Sequence, residues 1–211
     1  MKPVIAIDGP SGSGKGTIAQ RLADYWEFAY LDTGLLYRLV AYKNIESLRG
    51  TAINDLLKLT KETPEKLLRS TEIGIRASEV AKSPEVRTIL TEMQRAFMAN
   101  PGAEYKGAVL DGRDIGTVVA PDADCKIFIT ADLGERAKRR FESLKQFNPN
   151  ITFKEIYESL KTRDENDRSR ENAPLICTED YIILDTTTDS PEESFEKALI
   201  ASKKLSNLLG Q

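Results

Sequence analysis

Histidine is missing altogether: none of the 211 residues is one. That excludes Ser-His and Cys-His nucleophile pairs and histidine-bound zinc, so chemistry in this chain falls to carboxylates, Arg, Lys and metal. Cysteine is nearly missing too. Cys125 and Cys177 are far apart, share no metal-ligand spacing, and read as buried thiols in a reducing compartment. No apolar run approaches the length of a membrane span. The apolar residues before Asp8 are too few for a secretion signal, so a soluble, cytoplasmic protein is expected. Charge of one sign is also scarce. A formal net charge of −3 creates no field that would gather nucleic acid.

What is present begins with Gly9-Pro10-Ser11-Gly12-Ser13-Gly14-Lys15-Gly16-Thr17, set between the apolar run 4–8 and an amphipathic stretch carrying Ile18, Leu22 and Trp26 on one face. Glycines at 9, 12 and 14 let the backbone turn tightly and aim its N–H groups inward, at the positive end of the helix that follows. Lys15 adds a mobile full charge. This is the pattern of a P-loop, in which the lysine reaches the β- and γ-phosphates of a nucleoside triphosphate. The general motif places Ser or Thr directly after the lysine as a magnesium ligand, whereas here Gly16 intervenes and Thr17 follows. GKGT is similar to the nucleoside monophosphate kinase form of the loop. A magnesium ligand from Thr17 or Asp111, through water, stays open.

Five short runs, 4–8, 28–31, 108–111, 126–130 and 181–185, read as buried strands with helical patterns between them. The alternation predicts an α/β fold with helices on both faces of a five-stranded parallel sheet, and ligands at the carboxyl ends of the strands. Three runs end there in Asp8, Asp111 and Asp185, and Asp32 follows a fourth, where a magnesium nucleotide would need carboxylates. Ser83-Pro84-Glu85 opens a helix with the stripe Val86, Leu90, Met93 and Phe97, stopped by Asn100-Pro101-Gly102. The capping box Ser190-Pro191-Glu192-Glu193 opens the last helix, expected to bury Phe195, Leu199, Leu205 and Leu209. A single domain over 1–211 is expected to carry two appendages. One is a helical arm at 44–78 that arches over an acceptor site. The other is a hinged lid at 144–156, around Phe147-Asn148-Pro149-Asn150.

Four charged clusters fall on the carboxyl edge or beside the lid: Asp32-Thr33-Gly34 with Tyr37 and Arg38; Asp111-Gly112-Arg113-Asp114; Arg136 with Lys138, Arg139 and Arg140; and the run from Arg163 to Arg170. Taken alone, the last would be a solvated helix face and the third a snorkelling basic face. Together they suit phosphoryl transfer between phosphates, which asks for charge compensation and alignment and for little covalent chemistry.

The P-loop, Leu31-Asp32-Thr33-Gly34 with Tyr37-Arg38, Gln94-Arg95-Ala96-Phe97, the DGRDIGTVV block at 111–119, the RDxxDRxR run at 163–170 and Leu184-Asp185-Thr186-Thr187 together resemble bacterial cytidylate kinases. The resemblance runs from the first strand to the last helix. It implies a three-layer P-loop NTPase fold and transfer of the γ-phosphoryl of ATP, with Mg2+, to CMP or dCMP. UMP is the nearest alternative acceptor. A GTP-binding switch is disfavoured by the absence of Asn-Lys-x-Asp. By the same resemblance, Lys15 holds ATP phosphates, and Thr33, Arg38, Arg113 and Arg170 clamp the acceptor phosphate. Ser78, Arg87 and Asp114 read cytosine, while Asp167 and Arg163 supply ribose and lid-side contacts. Asp32 and Asp111 are counted among the substrate-binding residues. Lys15, Arg113, Arg163 and Arg170 are the catalytic set. The chain is expected to act as a monomer on small nucleotides, with no nucleic-acid or membrane partner. It departs from many members in the arm, where residues 54–70 offer a helical pattern in place of a longer insert with strands.

Overall fold

The computed structural model describes residues 2–43, 50–146 and 148–210. Asn44, where the expected arm begins, and Phe147 in the expected lid lie outside the described residues. Five strands form one parallel sheet: β1 (Val4–Asp8), β2 (Ala29–Asp32), β3 (Ala108–Gly112), β4 (Cys125–Thr130) and β5 (Ile182–Asp185), in the order β2-β3-β1-β4-β5. Each expected run contains its strand to within one residue at either end. Phe28 stays outside β2 because its N–H is spent on Ala23 O at 2.8 Å, where the chain turns out of the first helix through left-handed Glu27.

Side chains of a strand alternate between faces, and this splits the core in two. Val4 and Ala6 of β1 join Leu31, Leu110, Leu36, Leu90 and Ile115 on one face. Ile5 and Ile7 join Val109, Ile127, Ile18, Leu22 and Trp26 on the other. The second face is covered by α1 (Lys15–Trp26) and α9 (Pro191–Ser202). The first is covered by α2 (Thr33–Lys43) and α6 (Pro84–Ala99). Leu56 of α3 (Ile53–Glu62) and Leu68 of α4 (Glu65–Leu68) are buried in that same core, so this helical stretch is anchored to the body of the protein. Residues 71–80 form α5 (Thr71–Val80). No strand occurs among the described residues of 50–78, in keeping with the helical pattern read there.

Beyond β4, α7 (Leu133–Lys145) and α8 (Phe153–Ser169) pack on each other through a small cluster of their own, Ala137, Ile156 and Leu160. The cap at Ser83 and the capping box at Ser190 form as read. The last helix does not run through. It stops at Ser202, and a separate turn, α10 (Leu205–Leu209), follows. The reason is phase: six residues separate Leu199 from Leu205, which an unbroken helix would rotate off the buried stripe. The break turns Leu205 fully inward while Phe195, Leu199 and Leu209 stay only partly buried.

Candidate active site

The carboxyl ends of the strands open into a cleft of about 890 Å³. The P-loop forms one wall. At Gly9 the backbone φ is +152°, and a Cβ there would sit 2.0 Å from Ile129 O, so only glycine lets β1 turn out beside β4. Lys15, at the start of α1, is buried and folds back to donate to Pro10 O at 3.3 Å. Ser11 through Thr17 line the cleft, while Gly9 and Pro10 lie behind its surface.

Opposite stands a network of arginines and carboxylates. Arg113 Nε donates to Asp167 Oδ2 at 2.7 Å and its Nη2 to Ser11 Oγ at 2.9 Å, tying the DGRD loop to both α8 and the P-loop. Arg87 of α6 pairs with Asp114, both buried, and Arg170 lies 3.6 Å from the other oxygen of Asp114. The Arg87 guanidinium also sits 5.7 Å above the Tyr37 ring. Thr33 donates to the Asp111 carbonyl at 2.7 Å, and Tyr30 to its carboxylate at 3.1 Å. Asp32 caps α2 by accepting from Leu35 N–H at 3.2 Å and pairs with Arg69 at 3.0 Å. Among the described residues, three buried polar groups on this wall have no hydrogen-bond partner: the Ser78 hydroxyl, Arg163 Nε and Arg170 Nη2.

The charges do not cancel within the cleft. Burial, then the neighbouring Arg113, pushes the Lys15 ammonium down, while burial, then Asp32, pushes the Asp111 carboxyl up. Arg38 is lowered to about 9 by burial and by Arg163, and Arg163 to about 10 by burial and by Arg113. Asp167 is held low despite its burial, because Arg113, Arg163 and Arg170 outweigh that burial. Among the described residues Arg38 donates to carbonyls alone, Leu68 O at 2.6 Å and Ser70 O at 3.3 Å. A wall of crowded guanidiniums beside a P-loop is arranged for phosphate anions.

Magnesium fits the carboxylate end of this cleft. Among the described residues no group of three His, Cys, Asp or Glu side chains could cage a metal ion. Asp32 and Asp111 nonetheless stand close enough for one to raise the other, with Thr17 exposed on the same cleft. Mg2+ uses sites of this kind, taking one or two carboxylates and completing its shell with phosphate oxygens and water.

Every residue read from the sequence as substrate-binding lines the cleft: Asp32, Thr33, Arg38, Ser78, Arg87, Asp111, Arg113, Asp114, Arg163, Asp167 and Arg170. Three other readings need correction. Asp8 and Asp185 end their strands as expected but do not face the cleft: Asp8 is wholly buried, and Asp185 is exposed and accepts from Thr187. Cys125 is buried, whereas Cys177 is exposed on the irregular segment after α8. Arg136 is a buried strut. It donates to Ser11 O and Ala131 O at 2.9 Å each and pairs with Asp164 at 2.7 Å, under the P-loop. Sequence reasoning missed Arg69, whose place on the cleft beside Asp32 follows from the fold of the α4–α5 turn and has no local signature.

Comparison with known proteins agrees with this geometry. The family model for cytidylate kinase matches residues 5–204. A cytidylate kinase of Methylocella silvestris is 45% identical over 203 residues, 93% of this chain and 92% of that protein. One of Azorhizobium caulinodans is 44% identical, covering 93% of this chain and 96% of its own. Among solved structures, a gluconokinase from Sinorhizobium meliloti superposes with a TM-score of 0.52 at 14% identity, covering 99% of this chain and 95% of its own, a likeness of fold alone. With its P-loop, parallel sheet and arginine-lined wall joined in one cleft, the chain belongs to the cytidylate kinase family.

Proposed function

We propose that the protein transfers the γ-phosphoryl of MgATP to CMP or dCMP, giving the diphosphate. The observation that carries this reading is the Arg87–Asp114 pair, buried on the wall that faces the P-loop, with the unpartnered Ser78 hydroxyl on the same cleft. Cytosine offers an amino donor at C4 beside an acceptor at N3, and a carboxylate next to a guanidinium can meet both. The attacking oxygen of the acceptor phosphate is already an anion, so no general base is required, in keeping with a chain that has no histidine. Lys15, Arg113, Arg163 and Arg170 would spread the charge of the phosphoryl group in transit, and Thr33 and Arg38 would orient the acceptor. Magnesium, when bound, would neutralise charge on the phosphate oxygens. An assay coupled to ADP release, run with ATP and each nucleoside monophosphate in turn, tests the reading. No acceptor-dependent ADP would end it.

Two expected results belong to this site. Asp114→Asn should lower kcat/KM for CMP and raise it for UMP, so that their ratio shrinks by about tenfold or more, on the order of 1.4 kcal/mol. The amide can turn its nitrogen toward the C4 carbonyl of uracil, whereas the carboxylate repels it. Equal losses on both substrates would leave Asp114 only as the partner of Arg87 and Arg170.

The second concerns closure. Arg139 and Arg140 on α7 and Arg163 on α8 line the cleft, and the two helices share only a small core. A lid at 144–156 that closes on nucleotide would bring these arginines to the phosphates and keep out water, the competing acceptor. Amide exchange across 144–156 should slow when ATP and CMP are both bound, and unchanged exchange in the ternary complex would remove the lid.

A further inference from the structure

Asp8 is a wholly buried carboxylate that the proposed transfer does not use. It stands where β1 passes into the P-loop, and Gly9 is the next residue. Its Oδ1 accepts from Ile115 N–H at 2.9 Å, and its Oδ2 from Gly116 N–H at 2.8 Å and from the Tyr181 hydroxyl at 2.6 Å. Ile115 and Gly116 directly follow Arg113 and Asp114, and open a π-helical turn (Ile115–Val119). Tyr181 ends the segment that follows Asp167 and Arg170. That segment is itself tied back by Leu175 N–H to Asp167 O at 2.7 Å and by Arg170 Nε to Ala173 O at 2.7 Å.

Three stretches that carry the proposed site therefore meet on one side chain that touches none of the reacting groups. The approach is built to be close. A Cβ on Gly116 would lie 2.5 Å from the Tyr181 oxygen, so a glycine is required there for the phenol to reach Asp8. The Tyr181 ring is braced edge-on against Phe128 at 5.9 Å, and its neighbour Asp180 pairs with buried Lys126. Burial pushes the Asp8 carboxyl up, and the Tyr181 hydroxyl and the two amides oppose that; a carboxylate has lone pairs for all three donors, whereas an amide would turn its own N–H group toward one of them.

We propose that Asp8 is a positioning residue: through Tyr181 and the amides of Ile115 and Gly116 it holds the DGRD loop and the stretch behind Arg170 in register with the P-loop, and so aligns acceptor with donor. The proposal rests on the kinase reading above. Alignment enters the rate steeply, since a displacement of about 1 Å can cost on the order of 10²-fold.

Tyr181→Phe is the test, because it removes one hydroxyl and keeps the braced ring. With ATP and CMP, kcat should fall roughly tenfold while the KM for ATP stays within about twofold, the split expected when an interaction serves the transition state. Amide exchange at Ile115 and Gly116 should quicken. Asp8→Asn should lose more, and adding Tyr181→Phe to it should lose little further, because both changes break the same contact. A wild-type kcat in Tyr181→Phe would overturn the proposal alone, as would a proportionate decline of kcat, ATP affinity and melting temperature. Absence of acceptor-dependent ADP release in the unaltered protein would overturn the kinase reading and this proposal with it. If Asp8→Asn fails to fold, Tyr181→Phe decides.

Discussion

Lys15→Ala should keep its fold and lose turnover by a factor of about 10² to 10³, the usual consequence of removing one preorganised charge from a phosphoryl-transfer site. The fold should survive because Lys15 contributes little to it. Among the described residues its ammonium has one hydrogen bond, at 3.3 Å to a loop carbonyl, and burial, then Arg113, outweigh Asp111 and Asp32 in pushing its pKa down. A cation held in that way is unfavourable until an anion arrives, so the melting temperature of the free protein should be unchanged or slightly raised in the variant. Rate and stability then move apart, as expected where a site is built for function at the expense of stability. The check is a melting curve beside the ADP-release assay. A folded variant with near-normal kcat would show that the loop does not carry its charge to the transferred group.

Arg136→Ala should do the reverse and damage the fold first. The side chain is 3% exposed, and its partner Asp164 sits 2.7 Å away, also buried. Breaking such a pair from one side leaves an uncompensated carboxylate and costs about 3–5 kcal/mol. For a chain of this size that lowers the melting midpoint by roughly 6 to 20 °C. The double variant Arg136→Met/Asp164→Leu should recover much of the loss, since replacing both members of a buried pair by apolar groups is often close to neutral. The Ser11 carbonyl would still lack its donor. A single variant as stable as the parent would show that solvent reaches the pair.

Arg136 also shows where reading the sequence stops. It stands close to Lys138, Arg139 and Arg140 in sequence, yet Arg139 and Arg140 line the cleft while Arg136 points under the loop. Nothing in the spacing tells them apart; only the packing of α7 on α8 and the loop does. The same holds for the aspartates that end the strands. Asp8 follows Val4 and Ala6 onto one face of the sheet and is spent on amides, while Asp111 follows Val109 onto the other and meets the environment of Lys15 and Asp32. Alternation along a strand predicts that residues two apart share a face, but which face looks onto the nucleotide is decided by how the sheet is covered. The P-loop, the strand runs and the helix caps were legible because their signals are local: glycines at a turn, short apolar runs, a Ser with a Glu three residues on. The grouping of Arg87, Asp114, Asp167 and Arg170 on one wall was suggested only by resemblance, since the fold brings them together from distant parts of the chain.

The position of β1 at the centre of the sheet bears on how the molecule is made. Among the strands it is synthesised first, but its two neighbours begin only at Ala108 and Cys125, and the N–H of Val4 waits for Asp124, 120 residues on. Contacts of such sequence separation form slowly, and until they form the apolar run stays uncovered. On the ribosome, the loop that Val4–Asp8 leads into has both flanking strands beside it only after Cys125–Thr130 has emerged. Asp8 must wait longer still, for Tyr181. A nascent chain therefore completes the two walls of the cleft almost together, once Tyr181 has been made, and a copy that stops short of Tyr181 lacks the contact that ties them.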